Sequence, residues 1–473
     1  MPANQELIAE ITREVLARLQ KLGDAPVNGT ATRAADGVFR TVDEAVRAAG
    51  MAQKRVAAMS LGERGRMCGI VKRICAERAE ELARIELAET GLGRVDHKIQ
   101  KLKNIRYVLG PEAMATQAMT DASGVCLIEH APWGVIGMVL PATHCVPTLA
   151  SNAINILASG NTAIFSPHPA GAKVTALGLQ IFNREIQREL GVANVLTTVA
   201  EPTIQAAEEI FGHPGVPLLC VTGGPGVVKA AGKSGKRTIA AGPGNPPVVV
   251  DETADLDLAA RSIIDGAGFD NNILCIAEKE IFVLAEVADR FVEAMRRAGA
   301  YQLDGAAIDR LTKAAFRFDA DGTPHASKDF IGKDTAVLAR AAGAAIPAGT
   351  DLLFGETAED HPFVREEQMM PFVPVVRMPN VDAAIAASVK AEHGYRHTAM
   401  IHSRNFENVT RMGRAMNCTL FVHNAPCYAS LGIGGPSYLS HSIATPTGEG
   451  VTTPLTFTRE RRIVSGAGSM RVI

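Results

Sequence analysis

The chain has 473 residues, 47% hydrophobic and 21% charged, enough for at least two domains with packed cores of their own. Lys plus Arg number 48 against 50 for Asp plus Glu, and a net charge of -2 gives no long-range field for nucleic acid or an anionic membrane. Eight cysteines, at positions 68, 75, 126, 145, 220, 275, 418 and 427, form no CxxC pair or dense cluster, which argues against a disulfide framework or a zinc site. Reduced thiols in a cytosol are expected. No basic segment leads into an apolar core at the N-terminus, and no run of about 18 apolar residues occurs, so neither secretion nor a membrane span is expected.

Residues 5–22, QELIAEITREVLARLQKL, set Ile8, Ile11, Val15, Leu19 and Leu22 at helical spacing with charged residues between them. The spacing predicts a short amphipathic helix. The GDAPVNGTATRAADG that follows has the composition of a flexible tether, so the helix is an appendage that packs either on its own domain or on a partner. Val42 to about Ala88 reads as helical. From Pro132 onward the short β-rich runs VIGMVL, TAIFS, VLTTVA, LLCVTG and PPVVVD alternate with helical runs such as AKVTALGLQIFNREIQREL, which predicts a parallel sheet with crossover helices and a nucleotide-binding α/β domain. A second alternation after Pro247, with KEIFVLA, PFVPVVR, TAMIHS and TLFVHN as strands, predicts a second α/β domain.

Two glycine-rich turns stand between these halves. In VTGGPGVVKAAGKSG, residues 221–235, glycines follow a β run and precede a helix, where bare backbone can approach a pyrophosphate. AAGPGNPP, residues 240–247, follows closely. Either turn alone is compatible with a purely structural role, whereas the pair favours a ligand crevice. Cys275 lies in GFDNNILCIAEKE, residues 268–280, between two aliphatic residues, after the turn-prone FDNN and before the charged AEKE at the start of a predicted strand. Backbone amides at such a loop stabilise a thiolate and an oxyanion. The local residues leave open whether the thiol is a nucleophile or a small core hydrophobe.

The segments PWGVIGMVLPATHCVPTL, GNTAIFSPHPAG, VTGGPGVV, AAGPGNPPVVVD, GFDNNILCIAEKEIFV, EEQMMPFVPVVR and TPTGEGVTTPLTFTRERR, met in this order, resemble the aldehyde dehydrogenase superfamily. More narrowly, they are similar to the CoA-acylating propionaldehyde and acetaldehyde dehydrogenases of bacterial microcompartments, from about Gly37 to Val464. The resemblance implies that Cys275 is the nucleophile, forming a thiohemiacetal and then, after hydride transfer, an acyl thioester. It also implies that Glu367, four residues before Pro371, holds the nicotinamide ribose, that Pro202 and Val227 sandwich the adenine, and that Gly223 lies at the pyrophosphate. Gly224, Ala240 and Gly242 join these as cofactor-binding positions.

Departures from the family pattern are as informative. Hydrolytic relatives carry a water-activating glutamate where this chain has Ala240, so the resemblance implies coenzyme A, whose thiol takes an acyl group by near-neutral exchange, as the acceptor. The small residues of AAGPGN are expected to leave room for that thiol. Thr143 aligns with an oxyanion-binding asparagine and is expected to share that role with the Cys275 N–H. Ser166, Pro167 and His168 replace a lysine and a glutamate that grip the adenosine ribose, so NAD is the family expectation without a carboxylate here to enforce it against NADP. His397 aligns with a histidine of the acylating group and reads either as a near-neutral base for the coenzyme A thiol or as a structural histidine.

The implied fold is α/β and aldehyde dehydrogenase-like. A targeting helix over 1–22 and a linker over 23–37 precede a Rossmann-like nucleotide-binding domain of 38–118 and 134–243. A catalytic α/β domain over 244–439 follows, with a small β oligomerisation element of 119–133 and 440–473 that makes a dimer or tetramer. The implied reaction oxidises a short-chain aldehyde, propionaldehyde first among them, to acyl-CoA with NAD and coenzyme A. A hydrolytic dehydrogenase and an idle cargo or scaffold protein are the alternatives. The helix over 5–22 is expected to bind a shell protein, placing the chain in the cytoplasm inside a microcompartment. Removing residues 1–22 should leave turnover intact and abolish co-purification with a shell; loss of folding would instead mark a helix packed on its own domain.

Overall fold

The computed structural model describes residues 36–466 and Gly468, so the helix expected over 5–22 lies outside the described residues. The stretch expected to be helical from Val42 breaks into separate helices, two of which start on a Ser/Thr-x-x-Glu box. The hydroxyls of Thr41 and Ser60 accept the N–H of Glu44 and Glu63, whose carboxylates reach back to the cap, and helices Val42–Ala58 and Leu61–Glu77 follow.

The β-rich runs after Pro132 build a six-stranded parallel sheet in the lateral order Val38–Phe39, Leu196–Val199, Thr162–Pro167, Val135–Leu140, Leu218–Thr222, Arg237–Ala241. Side chains alternate between its two faces. Ile136, Met138, Ala163 and Phe165 pack with helices Leu61–Glu77, Cys145–Ala158 and Ala172–Leu190, while Val135, Ile164 and Leu219 pack with Val42–Ala58 and Ile204–Gly212. Because Val135–Leu140 has its sequence successors on one side and Leu218–Thr222 on the other, the strand order reverses there, and a crevice opens beyond the carboxyl ends of those two strands.

A second parallel sheet runs Tyr301–Gln302, Leu353–Glu356, Phe372–Met378, Glu280–Leu284, Pro247–Val250, Thr398–His402, Leu420–His423. All four strands predicted after Pro247 are in it. PPVVVD, predicted with the first alternation, also belongs here, as Pro247–Val250, and the half-exposed Arg237–Ala241 takes the edge of the first sheet. The charged AEKE is not a surface feature: Glu278, Lys279 and Glu280 are all fully buried.

The third sheet is antiparallel, with Gly124–Pro132 between Gln117–Asp121 and Thr458–Ser465. The CLIEHAPW segment thereby meets the C-terminal strand in register, Ile128 opposite Arg462. Both outer strands are exposed, with Met119 at 62% and Val464 at 70%.

Gly137 lets helix Ile204–Gly212 approach the first sheet, since a Cβ there would stand 2.8 Å from Leu219 Cδ2 and 2.9 Å from Ile210 Cγ2. Gly137→Ala should therefore cost about 1–3 kcal/mol by overpacking, read as a lower denaturation midpoint with an unchanged m-value.

Candidate active site

Every strand of the first sheet points its carboxyl end the same way, and residues 242–246 lead directly from that edge to the amino edge of the second sheet. Glu367, Cys275, Gly244 and His397 precede Phe372–Met378, Glu280–Leu284, Pro247–Val250 and Thr398–His402, which are neighbours in this order. The four residues are accordingly brought together along one edge. A Cβ on Gly244 would lie 2.5 Å from the Cys275 carbonyl oxygen and 3.0 Å from the His397 ring, and the Gly244 backbone N–H favours the ionised Glu367. The glycine expected to leave room for a thiol serves instead as the close-contact point of this group.

Cys275 is the one residue between Gly266 and Leu284 that is not buried. The turn before it explains this. Asp270, Asn271 and Asn272 have φ of 49°, 55° and 64°, a left-handed run that Asp and Asn enter more readily than other side chains. Each is tied down. Asn271 Nδ2 donates to Gly332 O at 3.1 Å and Asp334 Oδ1 at 2.8 Å, and Asn272 Nδ2 to Ala267 O at 3.0 Å and Glu278 O at 2.9 Å. The Asp270 carboxylate accepts the Arg94 N–H at 2.7 Å and pairs with Lys101 Nζ, and its N–H donates to His97 Nδ1 at 2.8 Å.

Arg94, His97, Lys98 and Lys101 lie at i, i+3, i+4 and i+7, a single face of helix Val95–Asn104 and its cap. Lys98 pairs with Glu86 at 2.8 Å, and both lysines reach the Thr143 carbonyl, at 3.5 and 3.4 Å. Lys101 thus joins the loop carrying Thr143 to the turn carrying Cys275. Burial opposes the Asp270 carboxylate, but Lys101 and Lys98 outweigh it and hold the group below the usual carboxylate range. No local motif announces these residues; the available signal is a short helix whose inward face is polar at helical spacing.

The backbone N–H groups of Cys275 and Ile276 favour the thiolate. Burial, reinforced by Glu367, nevertheless pushes the thiol up to about 12, with Lys279 pulling the other way. Burial likewise pushes Glu367 up to about 7. His397 is fully buried, its Nδ1 2.7 Å from Thr398 Oγ1 and its N–H held by Glu392 at 2.7 Å; burial and then Lys279 lower it to about 4. Of the two expected readings, a near-neutral base and a structural histidine, the enclosed ring disfavours titration near neutrality in the ligand-free chain. Its Nε2 has no hydrogen-bond partner among the described residues. The Thr143 hydroxyl lies 3.1 Å from His144 Nε2.

The remaining expected positions gather at the carboxyl edge of the first sheet. Ser166 and Pro167 end strand Thr162–Pro167, and His168 follows, exposed, its Nδ1 accepting the Ala170 N–H at 3.1 Å. Pro202 lies just past Leu196–Val199. Gly223 and Gly224 join Leu218–Thr222 to helix Pro225–Gly232, which carries Val227. This edge fits a dinucleotide: the strand order reverses there, and Gly224 stands at a helix start with no atom where a Cβ would be. Ala240 is buried, its N–H donated to Thr447 Oγ1 at 2.9 Å, and Pro446 lies against Gly242.

Residues 25–313 match the aldehyde dehydrogenase family. The chain is 43% identical over 464 residues to the acetylating acetaldehyde dehydrogenase of Escherichia coli, covering 98% of each. It superposes with a TM-score of 0.88, at 38% identity, on a propionaldehyde dehydrogenase from the Clostridium phytofermentans fucose utilisation bacterial microcompartment, covering 91% of this chain and 98% of that one. The same score, identity and coverages hold for the Rhodopseudomonas palustris propionaldehyde dehydrogenase with bound CoA and an acylated cysteine. The chain belongs to the aldehyde dehydrogenase family. Within it, these relatives are acylating or propionaldehyde enzymes.

In the ligand-free chain, iodoacetamide labelling of Cys275, followed by peptide mass spectrometry, should rise through about pH 9 without a plateau, as a strongly raised thiol requires. Glu367→Gln removes an anion that forms near pH 7, so the variant should label at the parental rate below that pH and several-fold faster at about pH 8.5. Equal rates at the higher pH would show that Glu367 does not act on the thiol.

Proposed function

We propose that the chain oxidises a short-chain aldehyde, propionaldehyde foremost, to its acyl-CoA with NAD and coenzyme A. The observation that carries this reading is Cys275, the one residue of a buried stretch that keeps some exposure, set with His397 against Gly244 at the edge of the second sheet. The Cys275 thiolate adds to the aldehyde carbon, and the Cys275 N–H, with Thr143, holds the oxygen as it gains charge. Bound NAD supplies the acceptor for the hydride that leaves that carbon. Glu367 holds the ribose, Pro202 and Val227 flank the adenine, and the backbone at Gly223, Gly224 and Gly242 follows the pyrophosphate beside Ser166, Pro167 and His168.

An acyl thioester then remains on Cys275. Ala240 cannot take a proton from water, so water is a poor acceptor. The coenzyme A thiolate adds to the carbonyl, the bond to Cys275 sulfur breaks, and the cysteine leaves as thiolate. A neutral His397 beside Gly244 is the nearest candidate to take the thiol proton.

The exposed outer strand Thr458–Ser465 has one edge unpaired among the described residues, which supports pairing with a second copy and hence a dimer or tetramer. No helix among the described residues is long and apolar enough to cross a membrane. Residues 5–22 and the microcompartment origin of one structural neighbour favour residence inside a cytoplasmic shell.

Following NADH from propanal with and without coenzyme A tests the reading. Sustained turnover should require coenzyme A, with a single burst in its absence, and Cys275→Ala should abolish the burst while NAD still binds. Turnover independent of coenzyme A would make the enzyme hydrolytic; no burst from the parent chain would favour an idle scaffold.

A further inference from the structure

Lys279 is fully buried four residues after Cys275. Its Nζ reaches Asn272 O at 2.7 Å, Leu274 O at 3.1 Å and Asn272 Oδ1. All three are acceptors only: two are backbone carbonyls, and the Asn272 amide turns its oxygen to Lys279 because its nitrogen is committed to the Ala267 and Glu278 carbonyls. An ammonium has three N–H donors for these three acceptors, where a neutral amine has two. Burial lowers the Lys279 pKa and Glu367 pulls the other way, while two carbonyl oxygens and an amide oxygen surround the Nζ as an interior cation requires.

The placement of that cation is specific. The Leu274 carbonyl belongs to the peptide whose N–H is that of Cys275, and it accepts Ala277 N–H at 3.1 Å as well as Lys279 Nζ. A charge-assisted bond to a carbonyl polarises the whole peptide and strengthens its N–H as a donor. The backbone of Lys279 also gathers the other loops of the site. Its N–H donates to Pro246 O at 3.0 Å, and its carbonyl accepts Gln368 Nε2 at 3.1 Å, next to Glu367.

We propose that Lys279 is a positioning residue for the acylation chemistry: its ammonium, acting through the Leu274–Cys275 peptide, strengthens the Cys275 N–H as a donor to the thiolate and to the oxyanion formed beside it. The role rests on the reading of Cys275 as nucleophile. A lysine that served only to fill the interior would affect folding and leave the chemical step of the folded enzyme alone.

Lys279→Gln keeps two of the three hydrogen bonds and removes the charge, and Lys279→Met removes both. The NADH burst from propanal should slow about 10- to 100-fold in Lys279→Gln and further in Lys279→Met, by analogy with a weakened oxyanion donor, with KM for NAD little changed. Iodoacetamide labelling of Cys275 should slow at a given pH. Lys279→Arg, which keeps the charge, should recover part of the rate. Asn272→Asp leaves Lys279 in place and sets a carboxylate against its charge, at the loss of the Nδ2 bonds to the Ala267 and Glu278 carbonyls, so it should slow the burst in the same sense even where Lys279→Met does not fold. A rate recovered by Lys279→Arg but not lost in Asn272→Asp would speak against the charge. A parental burst rate in folded Lys279→Gln or in Asn272→Asp overturns the proposal, as does a loss that appears wholly in KM for NAD. If Cys275→Ala has no burst while Lys279→Gln is unchanged, only the role of Lys279 falls; a burst retained in Cys275→Ala removes the nucleophile reading itself.

Discussion

The left-handed run at Asp270, Asn271 and Asn272 is the constraint from which the site follows. Such a conformation is unfavourable by about 1–3 kcal/mol per residue and persists only where the surroundings over-determine it. Here they do: a helix face contributes the Arg94 N–H, His97 and Lys101, the loop at Gly332 and Asp334 holds Asn271, and Lys279 with the Ala267 and Glu278 carbonyls holds Asn272. The turn leaves Cys275 as the one residue of an otherwise buried stretch that keeps some exposure. A continuous helix or strand through these residues would have left Cys275 as one more packed sulfur, like Cys220.

The second constraint is the meeting of two parallel sheets edge to edge. Carboxyl ends of parallel strands are where open α/β sheets bind ligands, and here the amino edge of the second sheet brings Cys275, Glu367 and His397 to that place. Gly244 is the joint between the edges. It lies against the Cys275 carbonyl and His397, and its N–H favours the ionised Glu367, so a residue without a side chain lets these groups come close.

Periodicity made the strands of both sheets legible because parallel strands buried on both faces are continuous apolar runs. The exception, Arg237–Ala241, begins with charged and polar residues and ends in small ones, which hides a strand from that criterion. Of the site, the glycine turns and FDNN were legible because each needs a special backbone, whereas Cys275 became a nucleophile only through resemblance. Lys98, Lys101 and Lys279 were not legible, since a lysine is ordinarily solvated and nothing local says that it is buried. Their partners, Glu86, Asp270 and the Leu274 and Asn272 carbonyls, come from elsewhere in the fold or from a backbone turn whose geometry no spacing rule predicts.

The C-terminal segment bears on the choice of acyl acceptor. At Ala240 the backbone N–H is capped by Thr447 and the neighbouring glycine is covered by Pro446, both from the turn between Ile443–Ala444 and Gly450–Val451. Ala240, which the resemblance aligns with a water-activating carboxylate, is a methyl group against covered backbone. On the proposed function, this makes the acyl group on Cys275 wait for a nucleophile that needs no base at that position, which a thiol satisfies and water does not. The same C-terminal segment continues through Pro454–Phe457 into the exposed strand Thr458–Ser465. Chain copies that pair along that strand would therefore hold, in one covalent piece, both the assembly edge and the turn that covers the acceptor side of the site.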